Sequence, residues 1–193
     1  MSQTESKMLA LGTAAPDFRL PDTISGKSIS LKELQSDRCT VIMFICNHCP
    51  YVLHVNAEII RIANDYLPKG VAFIAISAND AVKYPADGPD QMRSHALALG
   101  YPFVYLYDES QEVARAYDAA CTPDFYVFNG EASLVYRGRL DGSRPKNDLL
   151  PTGQDLRAAI DAVLSGTAVP DRQYPSVGCN IKWKQTDFNQ SIA

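Results

Sequence analysis

The sequence predicts an α/β fold, a single layered domain built on a mixed sheet, and three observations predict it. Short β-prone apolar runs alternate with longer segments of helical period, in the order strand-helix-strand, helix, strand-helix, strand-strand-helix. The runs Cys39 to Ile45 and Val71 to Ser77 are apolar almost throughout, as suits strands covered on both faces by helices. The last two strands are joined at Asn129-Gly130, a pair that favours a tight hairpin, so their pairing is antiparallel.

Taken in order, residues 1–11 read as a loose arm. Gly12 to Asp22 carries Pro16 and Pro21 and fits an edge ribbon better than a central strand. Ser25-Gly26-Lys27 then turns the chain into a small N-terminal hairpin. Ser30 caps a short helix over Leu31 to Gln35, with Glu33 at its third position as in a capping box. After the first buried strand, Val52, Val55, Ile59, Ile62 and Tyr66 fall at spacings of three and four, one apolar stripe along a helix. Pro89 opens the next helix, with Asp87 or Gly88 near its cap, and Gly100 ends it. Pro102 to Tyr107 is a short strand and Ser110 to Asp118 a short helix. Asp124 to Asn129 and Ser133 to Arg139 form the hairpin. Thr152 and Asp155 mark the start of a helix that runs to Leu164, and Gly166 ends it. Residues 12–166 form the domain. Residues 167–193 show no clear period and too little apolar content to fold alone, so they are expected to dock on it as an extension.

The chain has 193 residues, 46% of them hydrophobic and 21% charged, with a formal net charge of -4. This balance gives no footprint for nucleic acid or an anionic membrane. The apolar runs are strand-sized, so no membrane span is expected. Residues 1–8 lack the apolar stretch of a secretory signal, and the expected compartment is the cytoplasm. There, five cysteines (Cys39, Cys46, Cys49, Cys121, Cys179) point to catalysis, metal binding or burial rather than a disulfide scaffold.

Cys46-Asn47-His48-Cys49-Pro50 lies where the first buried strand hands over to a helix. A thiolate attacks a disulfide, and a helix N-terminus favours negative charge. With the helix starting near Cys46, that sulfur is the expected nucleophile. Cys49, about one turn on, can close a ring with it. His48, when protonated, would further stabilise the thiolate. Two bland readings compete. Half a zinc site lacks its other half, because no second Cys-X-X-Cys or matching histidine pair is present, and no metal is expected. Purely structural burial seldom produces this spacing at such a junction. Cys121-Thr122-Pro123 is the second informative spot. A proline just before a strand can follow a cis bond and leave the Thr122 backbone open to pair with an extended substrate, although base rates alone favour trans.

With these stretches in view, the chain resembles the thioredoxin superfamily, in its redoxin or peroxiredoxin-like (AhpC/TSA-type) branch. Ala15 to Asp22, Cys46 to Pro50 and Cys121 to Phe128 carry the likeness, which runs from about Gly12 to Leu164. The resemblance implies a thioredoxin-like fold, a cis Pro123 packed against the dithiol, Cys46 as nucleophile, and Cys121 as an active-site neighbour. It also implies thiol redox chemistry without a cofactor. Peroxidases of this branch read Pro-X3-Thr-X2-Cys. Matched here, their peroxidatic cysteine is Cys49, their threonine is Cys46 and their proline is Ile42. The hydroxyl that orients a peroxide is absent, and an activating arginine would have to come from Arg137 or Arg139.

Three functions therefore stand. The first is a thiol-disulfide oxidoreductase in which Cys46 attacks, Cys49 resolves, His48 tunes the thiolate, and Thr122, Pro123 and Cys121 position the substrate. Its partners would be a protein or small-molecule disulfide and a thiol reductant or oxidant. The second is a thiol peroxidase, an antioxidant role, with Arg139 as an auxiliary. The third is a redox-inert binding or metal protein. Cys179 is open to two readings, a third redox partner or a buried anchor beside Trp183, and the anchor is preferred. Cys39 reads as core.

Overall fold

The computed structural model describes residues 3–185. In chain order the elements are β1 (Gln3–Glu5), β2 (Arg19–Pro21), β3 (Ser28–Ser30), α1 (Leu31–Leu34), β4 (Cys39–Phe44), α2 (Pro50–Tyr66), β5 (Val71–Ser77), α3 (Pro89–Leu99), β6 (Val104–Tyr107), α4 (Glu112–Ala116), β7 (Cys121–Thr122), β8 (Asp124–Asn129), β9 (Leu134–Gly138), α5 (Gln154–Ser165) and β10 (Val177–Asn180). The central sheet has the order β6-β5-β4-β8-β9. β4 pairs in parallel with β5 and β5 with β6, while β8 runs antiparallel to both β4 and β9. This is the mixed sheet flanked by helices of the thioredoxin-like fold.

β4 is central because its side chains serve both faces. Val41, Met43 and Ile45 join a core with Val52, Val55 and Ile59 of α2 and Ile160 of α5. Ile42 and Phe44 alternate into a second core with Phe18, Tyr117 and Tyr126. Each such apolar side chain gains about 2 kcal/mol on full burial, so the strand leading to the two cysteines is held from both sides. No helix among the described residues is long and apolar enough to cross a membrane.

Local chemistry departs from the sequence expectation in two places. The turn after β8 is longer than two residues. Asn129 accepts the Ser133 N–H through its side chain, its own N–H goes to the Ser133 carbonyl, and Ala132 takes a φ of 56°. Gly130 is required there for contact, because a Cβ would sit 2.2 Å from the Asp37 carbonyl oxygen. The cap of α5 is Gly153, not Thr152. The buried Asp141 carboxylate receives the N–H groups of Thr152 and Gly153, each at 2.7 Å. The capping interaction expected at α1 does form, with the Ser30 N–H donating to Glu33 at 2.9 Å.

The N-terminal arm is not loose at residues 3–5. β1 pairs with β10, and β10 pairs with β7, which makes a second, three-stranded antiparallel sheet. Residues 177–180 thereby meet the Cys121-Thr122 strand, and residues 3–5 back them on their other edge. Trp183 packs against the second core beside Ile181, with the Arg115 guanidinium 4.9 Å from its ring centre.

Candidate active site

Residues 45–49 form the loop that connects β4 to α2. Helix α2 begins at Pro50 with Cys49 as its N-cap, so the expectation that Cys46 lies at the helix start is corrected: Cys49 does. The reason is Pro50. Its fixed φ and missing N–H suit the first helical position and push the cap back to the preceding residue. Cys46 is one loop turn earlier. Both sulfurs are sealed, with Cys46 2% exposed and Cys49 fully buried.

Two contacts tie the pair to the facing strand. The Cys46 sulfur lies 3.4 Å from the Thr122 hydroxyl, and as a thiol Cys49 donates to the Thr122 carbonyl at 3.2 Å. Thr122-Pro123 is a cis peptide bond. As a thiolate, Cys49 accepts from the Cys46 and Cys179 side chains and from the backbone N–H groups of Val52 and Cys179. The Cys46 hydrogen bond is the largest cause; these donors outweigh burial and bring the Cys49 thiol down to about 5. Cys46 moves the other way. Its hydrogen bond to Cys49, its burial and the negative charge of Asp87 hold it well above the ordinary thiol range, against the Thr122 hydroxyl. The two shifts oppose one another, so negative charge is favoured on Cys49, the sulfur at the helix N-terminus.

The environment of His48 was not legible in the sequence. Its Nδ1 lies 2.6 Å from the Asp87 carboxylate, and its ring stacks parallel on Tyr84 at 5.7 Å. Asp87 is fully buried and also receives the Asn47 N–H at 2.9 Å and the Asn79 side-chain amide at 2.7 Å. A positive His48 would therefore be offset at once by Asp87. Of the two residues expected near the cap of α3, Gly88 is the N-cap and Asp87 turns inward. Cys46, His48 and Asp87 have donor atoms within 4.8 Å of one another. They number three, the count of protein ligands in a zinc site that keeps its fourth position for water. The Asp87 carboxylate already accepts from the Asn47 N–H and the Asn79 amide, so the donor set suits a hydrogen-bond network better than a zinc centre.

The expected open edge at Thr122 is not open. β10 lies antiparallel on β7 with Cys179 opposite Thr122 and Asn180 opposite Cys121, and Thr122 is 3% exposed. Cys121 is buried and its thiol is pushed up by burial and by Asp124. Cys179 comes to the dithiol and hydrogen-bonds Cys49 with its side chain. Arg139 does not come. It is held by Asp155 at 2.6 Å and lies over the Tyr174 ring, while Arg137 is held by the Gln173 side chain. Cys39 stays in the core, its thiol raised to about 12 by burial.

Comparison with known proteins bears on this arrangement. The model of the AhpC/TSA family matches residues 11–137. A crystal structure of an uncharacterized conserved protein from Geobacillus kaustophilus is similar at a TM-score of 0.95 and 57% identity, covering 96% of this chain and 98% of that one. A hypothetical protein from Sinorhizobium meliloti 1021 is similar at 0.92 and 45%, covering 95% and 100%. A putative thioredoxin from Neisseria meningitidis is similar at 0.61 and 26%, covering 78% and 89%. No curated protein matches the chain.

Proposed function

The chain belongs to the AhpC/TSA family of the thioredoxin superfamily, and from that premise we propose that it is a thiol-disulfide oxidoreductase working through Cys46 and Cys49. The observation that carries this reading is the placement of the two sulfurs, with Cys49 capping α2, Cys46 in the loop before it, and both meeting Thr122 next to the cis Thr122-Pro123 bond. A site that lowers one thiol of a close pair stabilises the reduced form, which makes its disulfide the more oxidising partner, and supplies a thiolate for exchange.

The cycle follows from this placement. Passage of the Cys46 proton to Cys49 makes Cys46 the attacking thiolate. It bonds one sulfur of a substrate disulfide, and the other sulfur leaves as a thiolate and takes up a proton. Cys49 then gives up the proton it received and attacks the Cys46 sulfur, which releases the second substrate thiol and leaves a Cys46–Cys49 disulfide. Two electrons pass from the dithiol to the substrate, and an external dithiol returns them. The same steps run backwards oxidise a substrate. Thr122 sets the height of both sulfurs through its hydroxyl and carbonyl. His48 and Asn47 are the partly exposed groups beside Cys46, so substrate approach is on their side.

The reading is tested by oxidising the protein mildly and mapping its peptides. A Cys46–Cys49 disulfide is expected, with a defined potential against glutathione. Free thiols at both positions after that treatment would overturn it.

A peroxidase reading is favoured by one observation. Cys49 occupies the position of the peroxidatic cysteine in the family pattern, and it is the lowered thiol. Single-turnover peroxide consumption with a trappable sulfenate on Cys49 would support it. The engagement of Arg139 with Asp155 weighs against it.

A further inference from the structure

We infer that Cys179 is a third thiol of the redox centre, presented by β10 as a tethered substrate, so that the oxidised chain exchanges its Cys46–Cys49 disulfide for a Cys49–Cys179 disulfide. This deepens the dithiol reading above and rests on it.

Geometry carries the inference. An extended substrate would add to the edge of β7 by backbone pairing. β10 already occupies that edge, antiparallel, with Cys179 opposite Thr122. Thr122 is the residue whose carbonyl meets the Cys49 sulfur and whose hydroxyl meets the Cys46 sulfur. The register therefore delivers a cysteine to the same point as the dithiol. Its side chain and its N–H both hydrogen-bond Cys49. The close approach of β10 is specific. A Cβ on Gly178 would lie 1.9 Å from the Thr122 carbonyl oxygen, so glycine is what lets the strand seat at this depth. The anchor reading of Cys179 explains its burial but not the contact between its side chain and the Cys49 sulfur.

The step balances without a further reagent once the dithiol is oxidised. The Cys179 thiolate bonds the Cys49 sulfur, the Cys46–Cys49 bond breaks, and Cys46 leaves as a thiolate that takes the proton Cys179 gave up. In the reduced protein the Cys179 thiol is pushed up to about 12, first by burial and then by Cys49, while Lys182 draws it down. Once Cys49 is in a disulfide its charge is gone, and the Lys182 contribution remains. Burial still opposes the Cys179 thiolate, but the opposition from Cys49 is present only in the reduced state.

The experiment uses the full chain. Reduced protein is treated with diamide, an azo oxidant that removes two electrons and two protons, then acid-quenched, alkylated and mapped without reductant. In the Cys46→Ser variant, Cys49 is expected in disulfide with Cys179 at about tenfold excess over alkylated Cys49, because the two sulfurs are held in contact. The linked peptide should vanish in Cys46→Ser/Cys179→Ser. A wild-type Cys46–Cys49 disulfide together with free Cys49 and Cys179 in Cys46→Ser would overturn the inference and leave the dithiol reading intact. A wild-type map with Cys49–Cys179 but never Cys46–Cys49 would overturn the dithiol reading and with it the exchange, and a map with neither would overturn both. Should Cys46→Ser not fold, wild-type protein poised along a glutathione series decides. The Cys49–Cys179 peptide is expected to rise with Cys46–Cys49, and its absence at every ratio would overturn the inference.

Discussion

His48 and Asp87 meet at 2.6 Å beside the Cys46 sulfur, and the carboxylate in that pair is fully buried. The pair makes the surroundings of Cys46 electrostatically the reverse of a plain histidine site. Asp87 is among the causes that hold Cys46 in its thiol form. Asp87→Asn keeps the shape and the acceptor for the Asn47 N–H but removes the charge. Cys46 should then ionise more readily, the reduced pair should be stabilised, and the potential of the Cys46/Cys49 couple should rise by about 30 mV, a tenfold step in the exchange constant. Equilibration with glutathione measures it. An unchanged potential would reduce Asp87 to scaffolding.

The asymmetry between the two sulfurs is testable by thiolate ultraviolet absorbance. Cys46→Ser retains a hydroxyl that can still donate to Cys49, so a thiolate should persist in mildly acidic solution. Cys49→Ser should lose that signal and show thiolate only in alkali, and disulfide turnover should fall by about a thousandfold or more in both variants. If Cys46 proves the acidic sulfur in the Cys49→Ser variant, the helix-cap argument fails.

The same asymmetry fixes a pH dependence. The Cys49 thiol goes from an ordinary value of 9.0 to about 5 on folding. A depressed folded value contributes stability that is fully present above 9 and is lost as pH falls through 5. Denaturant unfolding of the reduced protein should therefore weaken from pH 9 towards pH 5 more than that of Cys49→Ser.

Asp124 contributes with the opposite sign. It is fully buried, and burial raises its carboxyl from 3.8 to about 7 despite the Tyr126 hydroxyl at 3.0 Å. A raised folded value gives stability present below 3.8 and lost as pH rises through 7. Asp124→Asn should flatten that decline, with a gain of a few kcal/mol at alkaline pH as the order of magnitude. Unfolding curves of the variant and the parent across this window provide the check.

Much of the fold and the dithiol could be read from sequence because the signals are local. An apolar strand, a two-cysteine loop, Pro50 and an apolar stripe on α2 lie within one stretch of chain. What sequence reading missed is non-local. Asp87 and Gly88 both read as cap residues before Pro89; only the fold shows that Gly88 caps and that Asn47, Asn79 and His48 converge on Asp87. β10 is four residues long in a segment without period, and its partners are a two-residue strand and the N-terminal β1. Neither pairing leaves an alternation long enough to detect. Cys179 was placed on a docked tail, but which groove received the tail depended on a register that no local pattern encodes.

Gly178 offers the sharpest test of how β10 seats. In Gly178→Ala the new methyl group would lie 1.9 Å from the Thr122 carbonyl oxygen and 2.7 Å from its carbon. Both are backbone atoms of a segment held by the Cys49 contact and by β8, so they cannot swing aside as a side-chain end would. β10 must then lift from β7, exposing Cys179 and Thr122 and loosening β1 behind it. The cost should be about 3 kcal/mol or more, the range of a buried clash that also breaks strand pairing. Amide hydrogen exchange should accelerate at Thr122, Cys179 and Asn180 while β4 and β5 stay protected, since the central sheet does not depend on β10 for its pairing. Cys46 and Cys49 should also alkylate faster, because the strand that covers the facing edge has moved. Unchanged exchange at Thr122 and Cys179 would show that β10 tolerates the methyl group and that its depth of seating is not set by this glycine.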